Sequence, residues 1–348
     1  MLNKYAFIDR DGTMIYEPPD TKQIDSLDKL KILDNVLTGL KQLITNNYKL
    51  IMISNQDGLG TTSFPRADFD LVQNRLLDKL KKEKIKFYRI FICPHLPNDN
   101  CSCRKPKIGL IKEFLLAKPM NIERSFMIGD RDSDKQFAEN LGIKFYQAKT
   151  NSSFPRLTQL ERITTETKIT VQINLDGQDN YDIQTGIKFF DHMLEQIAKN
   201  SLIDLTIKCI GDLPVDEHHT VEDVGLVLGT IINKALTDKK GINRYGFLLP
   251  MDEALAEVAI DLSGRPFLVW NAKFKREKIG DMPTELFEDF FRAFANSLQA
   301  TIHINLRYGR NEHHMAEAIF KCFGRALRQA VEIDPRIKNQ IPSTKGNL

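Results

Sequence analysis

Nowhere does the 348-residue chain approach the roughly 18 consecutive apolar residues that a membrane-spanning helix needs. Its opening, Met1 to Asp9, lacks the apolar h-region and small-residue cleavage site of a signal peptide, so a cytoplasmic protein is expected. Charge of one sign is missing too: 49 Lys and Arg stand against 46 Asp and Glu, a net +3, and no long basic block offers a phosphate-backbone footprint. Neither membrane nor nucleic acid is therefore expected as a partner. Cysteine is scarce and odd in number, five in all, which argues against a disulfide framework. What is present is ordinary for globular proteins, with 42% hydrophobic and 27% charged residues, and the length suggests two domains.

The first half alternates β-type runs with helical patterns. Tyr5–Asp9, Lys49–Ser54, Phe87–Cys93, Ser125–Gly129 and Lys144–Gln147 read as strands, while Leu27–Asn46, Ala67–Lys84 and Gly109–Lys118 carry apolar residues three and four apart. Such alternation predicts an α/β domain with a parallel sheet wrapped by helices. After Ala148 the polar, Pro-containing run Lys149 to Arg156 reads as a linker, and the boundary is placed near residue 164, giving domains 1–164 and 165–348.

Chemistry-bearing residues recur at the predicted strand ends, where ligands bind in open α/β sheets. Asp9-Arg-Asp11-Gly-Thr13 follows the first strand, Ser54-Asn55-Gln56 ends the second, and Asp130, Asp132 and Asp134 follow the fourth, with Arg104-Lys105-Pro106 between. An aspartate at such an end can attack phosphorus, and a second acid two residues on can protonate the leaving oxygen. Acid, hydroxyl, lysine and acid in this order resemble the haloacid-dehalogenase phosphatase superfamily over residues 1 to 148. The resemblance implies Asp9 as nucleophile, Asp11 as general acid and base, and Ser54, Asn55 and Lys105 on the phosphoryl group. It further implies Mg²⁺ on Asp9, the Asp11 carbonyl and Asp130, with Asp134 either a participant or an exposed helical acid. Cys93-Pro-His95 and Cys101-Ser-Cys103 supply three thiolates and an imidazole around a polar turn, which predicts a closed, structural Zn²⁺ site. Within the superfamily this loop resembles the histidinol-phosphate and heptose-bisphosphate phosphatases, and the first half alone does not choose between them.

The second half repeats internally, over about 165–250 and 251–340. Val171-Gln-Ile-Asn-Leu-Asp-Gly177 recurs 87 positions on as Val258-Ala-Ile-Asp-Leu-Ser-Gly264, and His218-His219 recurs as His313-His314, each pair opening a predicted helix. Glu222 and Glu317 lie three and four residues after these pairs, on one helical face with a histidine, whereas neighbouring histidines diverge by about 100°. Together with His192 and His303 they total six imidazoles and two carboxylates, which suits two octahedral ions such as Mn²⁺ per domain, each keeping open positions.

Asn174-Leu-Asp-Gly177, Phe189-Phe-Asp-His192-Met-Leu, Asp216-Glu-His-His-Thr-Val-Glu-Asp223, Pro250-Met-Asp-Glu253, Leu262-Ser-Gly-Arg265-Pro and Glu312-His-His-Met-Ala-Glu317 closely resemble imidazoleglycerol-phosphate dehydratase. The predicted fold of this half is α+β, two sheet-and-helix repeats. An imidazole substrate is itself a good metal ligand. The resemblance implies Glu166 as the proton-transfer residue and Gln196, Arg244, Arg265, Lys321, Ser343 and Lys345 as contacts to the substrate phosphate. It also implies assembly through shared metals into trimers and then a 24-subunit homo-oligomer. A dehydratase of the histidine pathway in turn makes a histidinol-phosphate phosphatase the natural fusion partner, so both substrates are expected to be small phosphorylated imidazoles.

Overall fold

The computed structural model describes residues 2–150, 153–337, 340–345 and 348, apart from the side chains of 246–248. It divides into two units, 1–155 and 156–348.

In the first unit, β1 (Tyr5–Ile8), β2 (Lys49–Asn55), β3 (Arg89–Cys93), β4 (Phe126–Gly129) and β5 (Lys144–Gln147) form one parallel sheet in the order β3-β2-β1-β4-β5. Every residue of β1 and β4 is buried, as befits central strands with both faces covered. The covering helices are α1 (Val36–Thr45), α2 (Arg66–Lys82), α3 (Lys112–Ala117) and α4 (Asp132–Leu141). The expected helix from Leu27 begins only at Val36, because Asn35 adopts a left-handed conformation, which Asn tolerates, and Leu33 upstream is hydrogen-bonded to Met14. Strand order reverses beside β1, so the loops after β1 and β4 flank a switch point, the natural ligand crevice of this architecture.

The second unit begins earlier than the residue 165 expected. Leu157–Ile163, on the first-domain side of the expected boundary, is β6, paired antiparallel with β7 (Thr167–Asn174), and the backbone hydrogen bonds of that hairpin make it part of the second unit. Asn151 and Ser152 of the expected linker lie outside the described residues. With β8 (Tyr181–Gln184), α5 (Lys188–Ser201), β9 (Asp204–Gly211) and α6 (His218–Leu236) the first sheet has the order β6-β7-β9-β8. A second set comes after it: β10 (Tyr245–Met251), β11 (Ala254–Asp261), β12 (Phe267–Asn271), the short pair β13 (Lys278–Ile279) and β14 (Met282–Pro283), α7 (Leu286–Leu298), β15 (Thr301–Tyr308) and α8 (Glu312–Val331). Its sheet, β10-β11-β15-β12, repeats the first strand for strand, including one parallel pair in each. The β13–β14 hairpin has no counterpart in the first set and lengthens the spacing between related segments.

Both sheets cover a single apolar core that also contains the four helices. Phe290, Phe291 and Phe294 of α7 meet Phe320 and Phe323 of α8 at ring distances of 5.0 to 5.7 Å. Burial of each such ring contributes roughly 2–3 kcal/mol. Gly229 lets α7 approach α6 closely, since a Cβ there would lie 2.4 Å from the Phe294 carbonyl oxygen and 2.0 Å from Ser297 Oγ. The helices that begin with the histidine pairs are thus held rigidly by their buried ends. Among the described residues no helix is long and apolar enough to cross a membrane.

Candidate active sites and metal centres

Asp9 leaves the end of β1 with its N–H donating to the Ile128 carbonyl of β4 at 2.9 Å. Its carboxylate accepts from Lys105 Nζ at 2.5 Å, and the same ammonium donates to Asp134 Oδ1 at 2.6 Å and to the Ile53 carbonyl at 3.0 Å. Carboxylate oxygens of Asp9, Asp130 and Asp134 converge within 4.8 Å of one another. Gly12, at φ 77°, keeps this space open, because a Cβ would sit 2.4 Å from Asp130 Oδ2. Burial pushes the Asp9 carboxyl upward, Lys105 opposes it, and the neighbouring acids Asp134, Asp130 and Asp11 push the same way as burial. Lys105 is itself raised, since its two carboxylate partners outweigh its burial. The ion pair is the arrangement that satisfies both groups, and three converging acids with one ammonium leave a surplus of negative charge that a divalent ion would neutralise.

Asp134 is fully buried rather than an exposed helical acid. Asp11 has both oxygens engaged away from that cluster, one by Arg10 Nη1 at 2.6 Å and the other by Gln56 Nε2 at 2.6 Å. Gln56 also donates to Ser54 Oγ at 2.7 Å. Asn55, expected on the phosphoryl group, instead brackets the Lys105 backbone, donating to its carbonyl at 3.2 Å and accepting from its N–H at 3.0 Å. Arg10 carries no signal of its own in the sequence; it is wholly buried and its Nη2 has no partner among the described residues.

Cys93 ends β3, and His95, Cys101 and Cys103 fold back on it. The sulfur contacts run Cys93 to Cys103 3.2 Å, Cys101 to Cys103 3.3 Å and Cys93 to Cys101 3.7 Å, with His95 Nδ1 3.1 Å from Cys103 and 3.6 Å from Cys93. None is a disulfide. Tetrahedral zinc with bonds of about 2.3 Å to sulfur and about 2.0 Å to nitrogen places its ligand atoms roughly 3.6–3.8 Å apart, so the four residues fit with an opening of a few tenths of an ångström. Arg104 pairs with Asp57, which ties this loop to the one after β2 and sets Lys105 beside Asp9.

In the second unit His192 of α5, with His313 and Glu317 of α8, converge within 4.8 Å. Each histidine pair uses its first member alike: His218 Nε2 lies 3.6 Å from Glu222 and His313 Nε2 lies 3.7 Å from Glu317, both one helical turn on. Second members point elsewhere, with ring planes at 73° and 85° to their neighbours. His219 Nδ1 meets Asp212 Oδ2 at 3.0 Å, and His314 Nδ1 meets Glu253 Oε2 at 2.9 Å. These hydrogen bonds are the chief cause that raises both imidazoles above their ordinary range, and the one from His314 is foremost in holding Glu253 down at about 2. His303 is exposed on β15 and joins no cluster among the described residues.

Glu166 occupies the exposed turn between β6 and β7, with Oε1 3.8 Å from His219 Nε2. That turn is pinned to α6 by Thr167 Oγ1 and Arg162, each 2.5 Å from Asp223 Oδ2. Gln196 Nε2 is 3.5 Å from His192 Nδ1, and Lys321 pairs with Glu317 at 2.8 Å, so both stand beside the three-ligand cluster. Arg244 is bound to Asp261 through two contacts of 2.5 and 2.9 Å and to the Pro342 carbonyl at 3.0 Å, adjoining Ser343. Arg265 and Lys345 are exposed; the Arg265 guanidinium donates to the Ser263 carbonyl at 3.4 Å and the Arg265 carbonyl accepts from Thr301 Oγ1 at 3.1 Å, and the Lys345 N–H donates to Ser343 Oγ at 3.2 Å. Sequence reasoning misses Asp212 altogether and leaves Glu253 without a role; the repeat offset that relates Glu253 to Glu166 is the available signal.

Residues 185–327 match the family described as imidazoleglycerol-phosphate dehydratase, and residues 4–151 match polynucleotide kinase 3 phosphatase. The histidine biosynthesis bifunctional protein HisB of Actinobacillus pleuropneumoniae is 49% identical over 366 residues, covering 100% of both chains. Its counterpart in Legionella pneumophila is 48% identical over 357 residues, again across 100% of both. A crystal structure of imidazoleglycerol-phosphate dehydratase from Staphylococcus aureus is 41% identical and covers 51% of this chain and 99% of that one, with a TM-score of 0.47.

Proposed function

The chain belongs to the family of histidine biosynthesis bifunctional proteins, a hydrolase joined to a lyase, and from that membership we propose that it hydrolyses histidinol phosphate in its first unit and dehydrates imidazoleglycerol phosphate in its second. The observation that carries the reading is the presence, in separate units of one chain, of an Asp9–Lys105–Asp134 ion-pair cluster and of duplicated helices that present His and Glu together.

In the phosphatase, Asp9 attacks phosphorus to form an aspartyl phosphate while the substrate C–O oxygen leaves with a proton from Asp11. Asp11 then takes a proton from water, whose oxygen attacks the same phosphorus and releases Asp9 and inorganic phosphate. Because Arg10 and Gln56 hold the Asp11 carboxyl, its delivery to the leaving oxygen requires rotation of that side chain. Lys105 and Ser54 position the phosphoryl group, with Asn55 fixing the Lys105 backbone between them, and Asp9, the Asp11 carbonyl and Asp130 would hold Mg²⁺, which would supply charge neutralisation. Cys93, His95, Cys101 and Cys103 would hold Zn²⁺, which would stiffen the loop carrying Lys105.

In the dehydratase, Glu166 takes the C2 proton and returns it to the departing C3 hydroxyl, which leaves as water, and the resulting enol gives up its hydroxyl proton as C3 gains one, forming the ketone of imidazole acetol phosphate. Two Mn²⁺ or similar ions would supply positive charge that favours an ionised imidazole and so would lower the cost of removing that proton. The residues that would hold them are His192, His218, His219, Glu222, His303, His313, His314 and Glu317, while Gln196, Arg244, Arg265, Lys321, Ser343 and Lys345 would receive the phosphate. Only three of those eight ligands converge within one chain among the described residues, which supports completion of each site by other copies in a 24-subunit particle. The test is separability. Asp9→Asn removes phosphatase activity and spares dehydration, and Glu166→Gln does the converse; folded protein in which either change abolished both activities would overturn the assignment.

A further inference from the structure

The two turns that face the metal-binding helices carry related acids with different attachments. Glu166 lies on the turn between β6 and β7, and Glu253, 87 positions later, lies on the corresponding turn between β10 and β11. Glu253 is fully engaged: Oε2 meets His314 Nδ1 at 2.9 Å and Oε1 accepts the Asn311 N–H at 2.8 Å, at the start of α8. Glu166 instead faces Nε2 of His219 at 3.8 Å, because the Nδ1 side of that ring is taken by Asp212 at 3.0 Å. Asp212 directly follows β9. Its counterpart after β15 is Gly309, which has no side chain to offer.

We propose that Asp212 and Glu253 are equivalent positioning residues, each accepting the Nδ1 proton of one histidine so that its Nε2 lone pair is presented to a divalent ion. A neutral imidazole carries one N–H, and an ionised carboxylate can only accept. The ring beside it must therefore hold its proton on Nδ1, which leaves Nε2 as the ligand atom, and such outer partners typically change metal affinity 10- to 100-fold. The same division of labour explains why only one of two repeat-related glutamates remains free for chemistry: with Gly309 in place of an aspartate, the second repeat commits Glu253 to His314, whereas Asp212 leaves Glu166 facing the substrate side of His219. The inference rests on the two-ion reading of the dehydratase.

The experiment is Mn²⁺ binding to metal-stripped full-length protein, by competition with a chromophoric chelator. Glu253→Gln offers one acceptor to two donors; when its NH₂ faces the ring, Nδ1 becomes the acceptor and Nε2 carries the proton. Glu253→Gln and Asp212→Asn each weaken Mn²⁺ binding about 10- to 100-fold without changing the far-ultraviolet circular dichroism. His314→Gln, which removes a ligand, is the control. If His314→Gln loses Mn²⁺ while both carboxylate variants bind it as the parent does, the positioning role is overturned and the two-ion reading stands. If His314→Gln also binds as the parent does, both fall. A role for Glu253 confined to capping α8 would lower the melting temperature and leave Mn²⁺ affinity alone, which likewise overturns the proposal. Should Glu253→Gln fail to fold, Asp212→Asn decides by itself.

Discussion

Asp134→Asn is the sharpest perturbation of the phosphatase unit, because it changes charge and almost nothing else. Asp134 is fully buried at the start of α4, with one oxygen on Lys105 Nζ at 2.6 Å and the other accepting the Arg131 N–H at 3.1 Å. An amide keeps the shape but must turn its NH₂ toward one of two donors, and Lys105, itself buried, is left with Asp9 as its one ionised partner. Removing one member of a buried ion pair costs about 3–5 kcal/mol, and the acceptor that Asn retains reduces this to about 2–4 kcal/mol. For a unit of this size a loss of 1 kcal/mol lowers the melting temperature by about 2–4 °C, so the first-unit transition in calorimetry falls by roughly 5–15 °C. With Lys105 displaced from the phosphoryl position, kcat/KM of the phosphatase falls about 100-fold, equivalent to about 2.7 kcal/mol, and dehydration is unchanged. A transition within about 2 °C of the parent, with phosphatase activity kept within about threefold, would refute the placement of Lys105 by Asp134.

Thiol titration provides a second check. Burial pushes Cys209 up to about 11 and Cys322 to about 12, so at pH 8 the thiolate of Cys209 is roughly two hundredfold rarer than that of an ordinary cysteine. Zinc-loaded protein therefore shows almost no fast-reacting thiols, and a strong chelator exposes Cys101 and Cys103, while Cys93, wholly buried and likewise pushed up to about 12, stays slow; rapid reaction of Cys101 and Cys103 without a chelator would argue against the zinc site. Stripping the dehydratase metals lowers the particle mass seen by light scattering, and an unchanged mass after verified metal removal would count against metal-bridged subunits. Gly229→Ala forces a Cβ to within 2.4 Å of the Phe294 carbonyl and destabilises the dehydratase unit by about 1–3 kcal/mol, read as a shift in that unit's transition alone.

Local pattern decided a good deal. The five strands of the first unit are short, apolar and bounded by polar turns, so their limits are visible within a residue or two, and the acids just beyond them mark the strand ends where the site forms. Cys93, His95, Cys101 and Cys103 are close in sequence, and a chelating loop is a local object. The duplication was legible because repeated folding units preserve the spacing of core residues, which is how Val171 announces Val258. Contacts between distant segments were not legible, since periodicity reports which face of an element is buried and not what meets it. Asp134 reads equally as a site participant or an exposed helical acid, and is fixed as the buried partner of Lys105 only when α4 packs against β4 and the loop after β3. Asn55 reads as a phosphate donor and is instead spent on the Lys105 backbone, 50 residues away. Pairing of Leu157–Ile163 with β7 moved the start of the second unit to Arg156, because hydrogen bonding across a hairpin outweighs the polar look of the segment before it. Asp212 and Glu253 acquired a role only through the imidazole nitrogens they face, a matter of ring orientation set by tertiary packing and invisible to residue type or spacing.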